Sequence, residues 1–171
     1  MEYPIVRRDH PPARRGPHRK LVRILTAKPL RGVCLSRAVF GFDSHWDGSR
    51  SLPCTSNRGT CEGHKAGWPK RWKGILHIWI PQQQKSCFVE ITPRADVQMV
   101  DQTVGLGTYR GLILEFTRTK GGKNGRLNVS VLGRAPNGEH LPPEESPWDL
   151  LKLIWGWSPD ELDGEPMRKL A

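Results

Sequence analysis

The sequence predicts a mainly β protein: a small antiparallel barrel with an inserted metal-binding loop and a short C-terminal helix. Two observations lead to that class. Four segments between residues 73 and 132 alternate apolar with other side chains at period two, the spacing that turns one face of a strand toward a core. Five short strands in all, a Gly- and Asn-rich hairpin turn and a single short helix between strands suit a small antiparallel barrel.

The elements follow in chain order. Residues 1–20 read as an extended basic arm, because Pro4, Pro11, Pro12 and Pro17 block regular structure while Arg7, Arg8, Arg14, Arg15, Arg19 and Lys20 add charge. A first strand is expected within Leu21–Leu35, where Val22 and Ile24 begin the alternation. Lys73–Ile80 then places Leu76, Ile78 and Ile80 on one face, with His77 and Trp79 on the other. In Ser86–Ile91 the inward set is Cys87, Val89 and Ile91, with Phe88 and Glu90 opposite. Ala95–Gln102 reads as a short helix. Tyr109–Arg118 sets Leu112, Leu114 and Phe116 against Ile113, Glu115 and Thr117. Leu127–Leu132 alternates Leu127, Val129 and Val131 with Asn128 and Ser130. Residues 119–125 join these last two as a hairpin, since their Gly and Asn residues accept the positive φ that such turns need.

Five strands, one hairpin and one intervening helix fit an OB-like barrel best, and a PilZ-like or SH3-like barrel nearly as well. Pro147–Trp157 is a different kind of segment, with Trp148, Leu150, Leu151, Leu153, Ile154, Trp155 and Trp157 densely apolar behind a Ser146-Pro147 helix start. It is too short to span a bilayer and too apolar to stand in water, so we expect it to pack back on the barrel, with docking on a protein partner as the alternative. The expected organisation is a basic arm at 1–20, a barrel domain at 21–135 with a zinc loop at 45–64, and an acidic, Trp-rich segment at 136–171.

Length and charge bound the function. A chain of 171 residues suits one compact domain with tails. Its 27 Lys and Arg against 17 Asp and Glu give a net charge of +10, which favours polyanionic partners, nucleic acid first among them. From Pro136 to Ala171, eight acidic residues against three basic ones leave −5, so the preceding residues carry +15. Seven tryptophans argue for a folded core. With no apolar run of membrane-spanning length and no apolar signal core, the expectation is a cytoplasmic protein without a membrane partner. Its four cysteines are then thiols or metal ligands rather than disulfides.

The stretch from His45 to His64 gathers two cysteines and two histidines among Gly, Ser, Pro, Asn and Thr, with little apolar material to hold it. A structural zinc bound by His45, Cys54, Cys61 and His64 would supply the missing staple, because two thiolates and two imidazoles suit its tetrahedral preference. Cys61-x-x-His64 lets one tight turn present two ligands, with Gly63 easing that turn. Cys34 is the reserve ligand, while Cys87 sits on an inward strand face as core. Four protein ligands leave no open position for a reacting water, so the zinc is expected to be structural.

A His…Cys…Cys-x-x-ligand loop in an OB-type barrel resembles the single-stranded DNA-binding proteins of T4-like phages. The last ligand there is a cysteine, here His64, and the spacings differ. The resemblance covers this loop, the barrel and the acidic C-terminal segment. It implies binding of unpaired DNA in a basic, aromatic cleft and an acidic tail that recruits protein partners.

The residues after the loop point the same way. Lys65, Trp68, Lys70, Arg71, Trp72 and Lys73 combine four cations with two tryptophans, and Trp79 follows on the next strand. Unpaired bases stack on such rings while the cations meet phosphates, which favours single-stranded DNA or RNA. Tyr109 and Arg110 are further candidates, and Arg118, Lys120, Lys123 and Arg126 flank the hairpin as phosphate contacts. We find no phosphate-cradling loop, nucleophile elbow or catalytic carboxylate pair, and Gly105-x-Gly107 is too short to count. The expected function is therefore non-enzymatic nucleic-acid binding. The alternatives are a zinc-stabilised protein-interaction module of a phage or mobile element, and a metal-dependent nuclease using Asp43, His45 and Asp47.

Overall fold

The structure is a computed structural model that describes residues 21–26, 28–49, 51–55, 61–119, 125–136 and 140–155. The elements in order are β1 (Leu21–Val22), β2 (Leu30–Cys34), β3 (Phe40–Trp46), β4 (Ser51–Pro53), α1 (Glu62–Lys65) and β5 (Lys70–Ile80). A single 3-10 turn at Pro81–Gln83 leads to β6 (Lys85–Ile91), α2 (Pro93–Gln102), β7 (Leu112–Arg118), β8 (Leu127–Arg134) and α3 (Pro147–Trp155). The protein is mainly β, as the alternation predicts, and no helix of the described residues is long and apolar enough to cross a membrane.

β5 organises the sheet. Along one edge it pairs with β6, from Gly74 opposite Ile91 to Ile80 opposite Lys85. Its other edge is divided: Ile78 and Trp79 pair with Cys34 and Val33 of β2, while Lys70–Ile75 pair with β3. Between β2 and β3 the ladder is continued by local bonds, the Leu35 N–H donating to the His77 carbonyl and the His77 N–H donating to the Ser36 hydroxyl. β2 and β3 thus run along β5 as one bent strand. β7 pairs with the far edge of β2 and forms an antiparallel hairpin with β8, while β1 lies parallel to β6.

The alternation decides what each face buries. Leu76, Ile78 and Ile80 of β5 meet Cys87, Val89, Ile91, Leu112, Leu114, Phe116, Leu127 and Val129 in one core, closed by Ala95 and Met99 of α2. The opposite face builds a second core from Phe40, Phe42, Ile75 and Phe88, covered by Leu150 and Leu151 of α3. α3 therefore packs back on the sheet, and Trp148 meets Phe40 edge-on at 4.8 Å.

Two expectations change. The expected barrel is not closed: the sheet runs β1-β6-β5-β2-β7-β8, and no pairing joins its end strands among the described residues. Beside β8, where closure would place a strand, lies α2, started by the Thr92 cap and Pro93. Gln98 and Gln102, one turn apart, offer β8 the bonds of a missing strand. The Val129 N–H donates to Gln98 Oε1, Gln102 Nε2 donates to the Val129 carbonyl, and the Val131 N–H donates to Gln102 Oε1. The second change is that β3 begins well before the expected loop. Its alternation of Phe40 and Phe42 is diluted by Gly41, Asp43 and Ser44, and Gly41 is small because the Trp72 ring would lie 2.7 Å from a Cβ there. The N-terminal arm, the turn at 120–124 and residues 156–171 lie outside the described residues.

Replacing Gln98 and Gln102 together by Leu leaves the β8 edge without these partners. We expect a loss of about 1–3 kcal/mol in urea unfolding and concentration-dependent self-association in sedimentation, because an unpaired edge recruits another strand.

Candidate metal centre

β3 and β5 lie side by side, with His45 opposite Lys70, and the described residues between them form β4 and α1. The short β4 returns along β3, and the Cys54 N–H donates to the Asp43 carbonyl at 3.0 Å, which fixes Cys54 beside the end of β3. Cys61 precedes the single turn of α1, and the Lys65 N–H donates back to its carbonyl. His64 lies on that turn, three residues after Cys61.

These elements bring His45, Cys54, Cys61 and His64 together, with one donor atom from each lying within 4.8 Å of the others. The cluster can hold a metal ion. His45, Cys54 and Cys61 are buried, at 1%, 3% and 1% exposure, so the donors are shielded from water on most sides. The imidazoles of His45 and His64 meet edge to face, 4.7 Å apart.

The His45 tautomer follows from its neighbours. Its Nδ1 lies 3.0 Å from the Trp68 carbonyl, which can only accept, so Nδ1 carries the proton and Nε2 keeps a lone pair. Nε2 is buried and has no hydrogen-bond partner among the described residues. A buried acceptor left open in this way is what a metal ligand requires, and the carbonyl behind the ring is the usual device for aiming it.

Cys61 is prepared as a thiolate. Burial pushes its thiol upward, but the backbone N–H groups of His64, Thr55 and Gly63 outweigh that and lower it to about 7. The Thr55 hydroxyl adds a weaker contact that falls short of a hydrogen bond. Gly63 has a second role, since a Cβ built there would overlap the His45 ring. Only glycine lets the helical turn approach the imidazole closely enough for both histidines to face one point.

The other cysteines stand apart. Cys34 is fully buried in the first core, donates to the Ser36 carbonyl and is pushed up to about 12 by burial. It takes no part in the cluster, and Cys87 is core as expected. Asp43 pairs with Lys70 at 2.8 Å, and Asp47 accepts from the Ser49 backbone and hydroxyl, so neither joins His45 as a ligand.

The residues expected to meet nucleic acid are spread over several settings. Lys65, Lys70 and Arg71 are exposed beside the cluster and Trp68 is half-buried there. Arg71 lies 5.8 Å over the Trp46 ring, a neighbour that sequence reasoning missed although it directly follows His45. Lys73 pairs with Glu90, and Trp72 packs against the first core. Trp79 is half-buried on the outward face of β5. Tyr109 is 2% exposed inside the core. Arg110 donates to the carbonyls of Leu35, Leu141 and Pro142, and Arg118 to those of Ile24 and Gly125. Arg126 is exposed, and Lys120 and Lys123 lie outside the described residues.

Two outcomes are expected at this centre. Gly63→Ala, which displaces the His45 ring, lowers metal affinity by about 10–100-fold in chelator competition, the range seen when ligand-orienting groups are lost. Metal binding also weakens on acidification. Because the folded Cys61 thiol sits below its ordinary value, its contribution is present at alkaline pH and is lost as pH falls through about 7. Below that point, competition by this one proton costs about tenfold in metal affinity per pH unit, read by the same titration.

No protein family, no curated protein and no solved structure matches this chain, so its function is argued from this site and the surface around it.

Proposed function

We propose that the chain is a non-enzymatic nucleic-acid-binding protein, selective for single strands, with a structural zinc in the His45–Cys54–Cys61–His64 cluster. Two thiols and two imidazoles match the donors that zinc takes in closed tetrahedral sites. Zinc–ligand lengths imply edges of roughly 3.4–3.8 Å, so donors within 4.8 Å need only a small contraction. Four protein ligands leave no position for substrate, which disfavours a nuclease.

The observation that carries the reading is the bond from His45 Nδ1 to the Trp68 carbonyl. It couples a metal ligand directly to the residue that begins the basic, aromatic run into β5. A metal that fixes His45 thereby fixes Trp68 and its neighbours Lys65, Lys70 and Arg71. Trp46 under Arg71 adds a second ring on the same rim. Stacking on such rings contributes about 1–3 kcal/mol per base.

The strand pairing supports an OB-like reading, as a barrel left open on one side. A long bent first strand (β2 with β3) borders the second (β5) and the fourth (β7). A helix separates the third (β6) from the fourth, and the fourth forms a hairpin with the fifth (β8). The metal loop then joins the first and second strands, a position where OB folds take oligonucleotides.

A protein-interaction module is the second reading, favoured by Val97, Val100 and Val104 of α2 and its following turn, which are 57%, 44% and 81% exposed. Salt separates the two. We expect one zinc per chain by elemental analysis. A poly-dT oligonucleotide should quench tryptophan fluorescence, with an affinity whose logarithm falls with log salt by about 0.7 per phosphate engaged. Absence of quenching, or affinity indifferent to salt, overturns the nucleic-acid reading.

A further inference from the structure

Away from the metal cluster, the chain between β2 and β3 meets the chain leading into β7. The Tyr109 N–H and the Thr108 hydroxyl both donate to the Arg37 carbonyl, and the end of β8 lies alongside. A groove of about 490 Å³ opens there, lined by Arg37, Gly107, Thr108, Arg110 and Arg134.

Three of its five lining residues are arginines and none is acidic. Two of them are held in place by carbonyl oxygens. Arg110 donates to Leu35, Leu141 and Pro142, and Arg134 donates to Arg110 and Thr108. Carbonyl dipoles orient a guanidinium without cancelling its charge, which a carboxylate partner would do. Among the described residues, none of the three arginines forms a salt bridge. Arg37 is exposed, and its guanidinium forms no hydrogen bond or ion pair among the described residues. Three like charges gathered at one groove repel one another unless an anion is drawn in, and the fork of a guanidinium suits the paired oxygens of a phosphate. Gly107 leaves open space where a side chain would otherwise stand at the wall.

We infer that this groove is a phosphate-binding subsite for the backbone of a single-stranded nucleic acid, with Arg37 and Arg134 as its contacting residues and Arg110 as the fixed charge behind them. The inference rests on the nucleic-acid reading above and adds to it a site that shares no residue with the metal cluster and lies at the end of the β7–β8 hairpin away from its turn. Arg110 is tied to three carbonyls, so its replacement tests folding more than binding.

The experiment is a salt titration of poly-dT binding by the full, zinc-loaded chain and by Arg37→Gln, Arg134→Gln and Arg37→Lys. Zinc content and thermal midpoint serve as folding controls. Each Gln variant is expected to bind more weakly at low salt and to reduce the slope of log affinity against log salt by about 0.7, one phosphate contact. Arg37→Lys is expected to keep the slope, since it keeps the charge. If the parent chain binds no oligonucleotide, the underlying reading fails and the subsite with it. If the parent binds and both Gln variants match it in slope and affinity, the subsite alone is overturned. Should Arg134→Gln unfold, Arg37→Gln decides the matter, because no hydrogen bond or ion pair among the described residues depends on the Arg37 guanidinium.

Discussion

β5 has both faces buried for much of its length and both edges paired, and the remaining architecture is arranged to meet those demands. Its inward residues require a core, which β6, β7 and β8 supply. Its outward Ile75 and the neighbouring Phe88 require a second cover, which comes from α3. Its second edge is longer than β2, so the chain turns at 35–39 and continues as β3. The N-terminal end of β5, where neither core reaches, is the end that receives the metal loop. There Lys70 and Arg71 are exposed, whereas Leu76 to Ile78 are buried.

That division explains why a metal ion suits the loop as a staple, at the end of the sheet that apolar burial does not reach. Apolar burial orders a strand wherever side chains can alternate into a core. The sequence between β4 and α1 has no such alternation, and the two cysteines that flank it, Cys54 and Cys61, offer donors to a metal ion instead. The contacts that aim the donors are local and short: a carbonyl behind one imidazole, N–H groups toward one thiol, and a glycine where the turn meets the ring. None depends on the distant core, so the loop can serve as a separately stabilised unit on a rigid sheet.

Much of this was legible in the sequence, for physical reasons that can be named. Period-two alternation exposed β5, β6, β7 and β8, because each buries a full apolar face. The four donors were legible because Cys and His concentrate in a segment that lacks anything else to hold it. β3 was not, since its second aromatic is followed by Asp43, Ser44 and His45, polar residues whose side chains serve β5 and the metal cluster and give no apolar alternation. Barrel closure misled because strand count says nothing of whether the last strand is bordered by another strand or by a helix. Gly63 read as a turn former, whereas its closeness to His45 is a tertiary fact. Arg37 and Arg134 gave no local signal, since their neighbourhood is assembled from segments about a hundred residues apart in sequence. Tyr109 and Arg110 looked like surface candidates because they flank a strand, yet one fills the core and the other binds carbonyls.

The amide contacts between α2 and β8 carry a consequence for motion. In an ordinary ladder, a backbone N–H is released only when two strands separate over several residues. The N–H groups of Val129 and Val131 are instead held by the side chains of Gln98 and Gln102, which can let go by rotating about their own bonds. The outer edge of the last strand is therefore latched, while its inner edge is zipped to β7. Its outer edge can breathe on the timescale of a rotamer change while the β7 pairing and the core beneath stay shut.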